Sequence, residues 1–215
     1  MLEIAGTATA LGSEKGAESI QRILGDDERP ALSMEAIFIL TELASAFAKE
    51  QLRATAARPE WQTDERRQAA VWGLGKSGLK SYEDLLPYIA DQQENLAFHA
   101  IAAFGEDTPQ PIIDRLILDL LSHNERRAAA ASQALSVIGS PLVLQSLVAA
   151  INAAPHSNWL LATLGRMPPN LVRQHLQGNP LLQRLEPLLL LAPGGSWLST
   201  EETALNMAFL LKQSL

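Results

Sequence analysis

This 215-residue chain contains no cysteine. That absence excludes a disulfide framework, a thiolate metal site and a cysteine nucleophile, and it fits a reducing compartment. Runs of alternating apolar and polar residues are missing and β-branched residues are few, which argues against any sheet. Long hydrophobic runs are missing too. The most apolar stretch, Leu188 to Ala192, follows Arg184, Glu186 and Pro187 and is far short of the ~20 residues a membrane-spanning helix needs. The segment Met1 to Gly12 has neither a basic region nor a sustained apolar core, so it does not read as a signal peptide. Positive charge is in deficit: 17 Lys and Arg against 24 Asp and Glu give a net charge of −7. That weighs against an extended nucleic-acid surface, which needs clustered Lys and Arg. The chain reads as a soluble, cytoplasmic protein with no membrane segment, and 47% hydrophobic residues are ample for a packed core.

What is present is a signature that returns about every 31 residues. A small-residue helical stretch closes on Leu and a tiny residue, followed by a short turn and a second apolar helix. The pairs are Leu11-Gly12, Leu43-Ala44, Leu74-Gly75, Leu135-Ser136 and Leu164-Gly165, with Phe104-Gly105 in the fourth place; the tiny residues are spaced 32, 31, 30, 31 and 29 apart. Leu191-Ala192 is a weaker seventh copy. Such a period predicts a stacked helical solenoid. No linker longer than about eight residues interrupts it, so residues 1–215 read as one domain.

The third copy serves as the pattern. Thr63 is the expected N-cap, followed by Asp64 and Glu65, and Arg66 to Gly75 forms an Ala-rich first helix. After the turn Lys76-Ser77-Gly78, a second helix is predicted from about Ser81 to Ala90, with Leu85, Leu86 and Ile89 inward and Pro87 shortening or kinking it. In copy one, Ala17, Ile20, Ile23 and Leu24 anchor the second helix. Ser33 is the expected cap of copy two, whose second half runs from Ala46 to Ala57. Thr108-Pro109 opens a helix carrying Ile112, Ile113, Leu116, Ile117 and Leu120, and Ser140-Pro141 opens one over Leu142 to Ile151. Copy six covers Asn158 to Leu164 and Leu171 to Leu176. Copy seven covers Leu181 to Leu191, a Pro193-Gly194-Gly195 loop and a final helix from Thr200, with Ser199 and Glu202 as a capping box. The first helix has no cap ahead of it, which fits either a fraying start or a segment of a longer protein.

The run Asp64-Glu65-Arg66-Arg67-Gln68-Ala69-Ala70-Val71-Trp72-Gly73-Leu74-Gly75 resembles the first helix of a HEAT repeat, in the short bacterial form first recognised in phycobilisome lyases. Arg67 falls on that pattern's Arg position, and Glu125-Arg126-Arg127 with Ala128 to Ala131 is similar one residue out of register. The resemblance implies an all-α, right-handed α-α superhelix of about six to seven helix pairs. First helices would form its convex face and second helices its concave face. It also implies protein binding or scaffolding. Relatives acting as bilin lyases, chaperones or excisers of alkylated DNA bases supply alternatives, although no catalytic residue carries over.

Ala70 to Ser77 loosely matches a phosphate-binding loop, and Gly73 to Gly78 matches G-x-G-x-x-G, but helix rather than strand precedes them. A glycine helix cap is the simpler reading, and nucleotide binding is not expected. His99, His123, His156 and His175 lack metal-ligand spacing; His99 reads as a packing residue. Arg66, Arg67, Arg126, Arg127, Arg166 and Arg173 stack at repeat positions as either an anion ridge or inter-repeat ties, and the ties are favoured. Trp72 reads as core, and Trp61 and Trp197 as loop residues folded back on the array. No catalytic residue, cofactor or metal ligand is assigned, and the chain reads as a non-enzyme. Partner binding to another protein is assigned to the polar residues of the second helices: Tyr82, Glu83, Tyr88, Asp114, Arg115, Gln145, Arg173 and Gln174, with Glu18, Gln21 and Arg22 beside them.

Overall fold

The computed structural model describes residues 2–58, 65–154 and 157–191. The expectations for Thr63, Asp64, Trp61, His156, Trp197, the Ser199–Glu202 box and the final helix lie outside the described residues. Within them the protein is all-α, with twelve α-helices and no sheet. In chain order these are α1 (Leu2–Ala10), α2 (Glu14–Leu24), α3 (Pro30–Glu42), α4 (Ala46–Ala56), α5 (Glu65–Lys76), α6 (Glu94–Ala102), α7 (Gln110–Leu120), α8 (Glu125–Ile138), α9 (Pro141–Ala153), α10 (Asn158–Arg166), α11 (Pro169–His175) and α12 (Pro180–Leu191). The chain divides into two compact units, Met1–Ala103 and Phe104–Leu215.

Local chemistry sets the helix starts. Ser13, Ser45, Asn124, Ser140 and Ser157 accept hydrogen bonds from the main-chain N–H groups of Gly16, Ala48, Arg127, Val143 and Leu160. Each relieves an N–H that the first turn leaves without a carbonyl. Proline opens α3, α9 and α11, where its missing N–H costs nothing. The turn after α1 uses Gly12 at φ 84°, and α8 ends on Gly139 at φ 54°, a left-handed conformation that suits glycine.

In the first unit, α1, α3, α5 and α6 pack in succession. α2 and α4 cover their flank, followed by a 3-10 helix at Tyr82–Leu85. The core is Ile20, Leu24, Ile37, Leu40, Leu52, Leu74, Leu85 and Leu96, each fully or almost fully buried. In the second unit α8, α10 and α12 form one run and α7, α9 and α11 the other, around Ile113, Leu116, Leu120, Leu135, Ile138, Leu144, Leu147, Leu160, Leu164 and Leu185. Each such side chain contributes roughly 1.5–3 kcal/mol by leaving water. Ala128, Ala130, Ala131 and Ala134 of α8 are all buried; their small size lets the neighbouring helices come close.

Several expectations need correcting. Ser33 does not cap α3. The helix starts three residues earlier, at Pro30, and Ser33 is buried, its hydroxyl donating to the Ile23 and Asp26 carbonyls. The predicted α-helix over Ser81 to Ala90 is only the 3-10 helix followed by turns. Pro87 has no N–H for the carbonyl four residues back and its ring clashes there; Leu85 and Ile89 are buried all the same. The Leu-tiny signature is also not one structural element. Leu74, Leu135 and Leu164 are buried inside helices, whereas Leu11 lies past the end of α1 and is 84% exposed. Gly75 is not a helix cap: it lies within α5, and a Cβ there would collide with the Ala103 main chain next to α6. It is a close-packing glycine.

Candidate functional site

Five of the six arginines at the repeat positions are engaged by partners elsewhere in the chain, and the sixth, Arg126, is exposed. The buried Arg66 reaches Asp27 at 3.1 Å. Arg67 donates through Nε to the Ala56 carbonyl at 2.8 Å and lies over the Tyr88 ring, 5.7 Å from its centre. Arg127 pairs with the buried Asp119 at 3.3 Å, and Arg166 donates to Ser132 at 3.1 Å. Arg173 donates to Glu186 from Nε and Nη2, at 3.2 and 3.0 Å. These arginines act as ties between elements rather than as a free anion-binding ridge. Hydroxyls do the same at the buried Ser132 and Thr163, whose oxygens share a hydrogen bond of 2.8 Å.

The candidate partner residues fall in two places. In the first unit, Tyr82 and Glu83 lie on the 3-10 helix and Tyr88 on the turns after it. Tyr82 is only 6% exposed, so its assignment as a surface recognition residue is corrected: the shortened helix turns its ring into the core. Glu83 is exposed and Tyr88 half-buried. Burial pushes the Tyr88 hydroxyl's pKa up, opposed by the charge of Arg67. Asp84, not foreseen, is the organising residue here. It accepts from Arg53 at 2.7 Å and from the Ser81 hydroxyl, and Arg53 also holds Glu50 at 3.0 Å. Burial raises the Asp84 pKa, but the hydrogen bonds of Arg53 and Ser81 and the charges of Arg53 and Lys49 outweigh it and hold the carboxyl below 3.8. The spacing Ser81-x-x-Asp84, a capping-type pattern, and the 31 residues between Arg53 and Asp84 were the available signals.

In the second unit, Asp114 and Arg115 are exposed on α7 and Gln145 on α9. Gln110 joins the two helices, donating to Asp114 at 2.5 Å and to Ser146 at 2.9 Å. The same outward side of α7 carries Leu118, 63% exposed, with Leu121 just past the helix end, and that of α9 carries Leu142. Gln174 is exposed on α11, while its neighbour Arg173 is committed to Glu186. Glu18, Gln21 and Arg22 are exposed on α2.

The glycine motif is helical through Lys76, and the Ser77 N–H donates to the Gly73 carbonyl at 2.8 Å. Those amides are spent within the helix rather than fanned around a phosphate. His99 donates from Nδ1–H to the Asn95 carbonyl at 2.6 Å and meets Phe98 edge-on at 5.7 Å. Burial holds its pKa below 6.5, partly opposed by the Asn95 bond and the charge of Glu65. Among the described residues no three His, Asp or Glu side chains are placed to hold a metal ion, and no helix is long and apolar enough to cross a membrane. Comparison with models of known protein families gives no match, nor does comparison with curated proteins.

Proposed function

We propose that this chain is a non-enzymatic, cytoplasmic interaction module, an array of HEAT-like helix pairs that binds another protein across its second helices. The observation that carries this reading is the outward surface of α7 and α9. There Asp114, Arg115 and Gln145 stand beside the exposed Leu118 and Leu142, and Gln110 fixes the two helices to each other. A face combining apolar anchors with polar, hydrogen-bonding neighbours is the composition of a protein contact surface. Engagement of Arg66, Arg67, Arg127, Arg166 and Arg173 by partners within the chain and the net charge of −7 weigh against the nucleic-acid alternative, which needs free cations along a groove. The cysteine-free composition fits a reducing compartment. The test is affinity capture with the wild-type chain and with Leu118→Asp and Arg115→Ala variants of unchanged helicity, followed by titration of the captured protein. Stoichiometric binding that drops at least tenfold in both variants supports the surface. Unaltered binding overturns it.

A further inference from the structure

We draw no further inference here: the strongest candidate, the exposed apolar side of α1 with Ile4 on the helix and Leu11 just past its end, is a surface patch for which nothing in the structure shows what covers it.

Discussion

Replacing Gly75 by Ala tests the close packing of α5 against the segment that ends α6. Glycine inside a helix is about 1 kcal/mol less favourable than alanine, so the substitution would stabilise the chain if the site were open. It is not open: the new Cβ would meet the Ala103 carbonyl oxygen and stand 2.8 Å from the Ala103 Cβ. Main chain cannot swing aside as a side chain can, so the two segments must separate. Overpacking of that kind costs roughly 1–3 kcal/mol, and main-chain contact places it toward the upper end. The net expectation is a loss of about 1–2 kcal/mol after the propensity gain. Gly73, two residues earlier in the same helix, is the internal control. A Cβ there meets the Thr41 hydroxyl at 2.6 Å and Leu52 Cδ2 at 3.2 Å, both side-chain atoms. Rotating Thr41 gives up its bond to the Ile37 carbonyl at 3.0 Å, worth about 1 kcal/mol, which roughly cancels the gain. Urea unfolding followed by circular dichroism, with both variants beside wild type, should place Gly73→Ala near wild type and Gly75→Ala clearly below it. A Gly75→Ala protein as stable as wild type would refute the reasoning.

Three further outcomes are expected. The unfolded chain protonates His99 near its ordinary value of 6.5, whereas the folded chain holds the group below it. Stability should therefore fall as pH drops through that value and level off below the folded pKa; thermal melts between about pH 7.5 and about pH 5.5 should show a shallower loss in His99→Gln. Arg66 has a side chain 8% exposed and its partner Asp27 one 69% exposed. Asp27→Asn should thus cost under about 1 kcal/mol, and Arg66→Ala about 2–3 kcal/mol through lost packing and hydrogen bonding, measured by chemical denaturation. Ser132→Ala, which leaves Thr163 and Arg166 without their shared partner, should cost about 1–2 kcal/mol in the same assay.

The helix pairs were legible because a small-residue helix and a larger apolar helix recur at one spacing, and Ser140-Pro141 opens α9 where a short polar side chain meets the first N–H groups. Ser33 misled because a buried hydroxyl bonding back to earlier carbonyls has the same sequence appearance as a cap; Pro30 was the better marker. Tyr82 misled for a different reason. Its placement assumed a full helical turn through Pro87, and the 3-10 segment rotates the ring inward. Gly75 can be told from a cap only by knowing what lies against it. On the surface of α7 and α9, the exposure of Asp114, Arg115 and Gln145 followed from helical phase, whereas the bridge from Gln110 to Ser146 depended on how two helices lie side by side. Asp84 was missed although its partner Arg53 stands one period away.

That spacing has a consequence for how such a chain can change length. Arg53 and Asp84 are 31 residues apart, and so are Ser132 and Thr163, one in each unit. Each of these two contacts joins residues on different elements one period apart, whereas Arg66 and Asp27 are 39 residues apart and Arg166 and Ser132 are 34. Adding or removing a few residues inside a helix that carries one partner would turn it away from the other, because every residue turns the helix by about 100°. Small changes in length are therefore expected to be confined to the turns between helices.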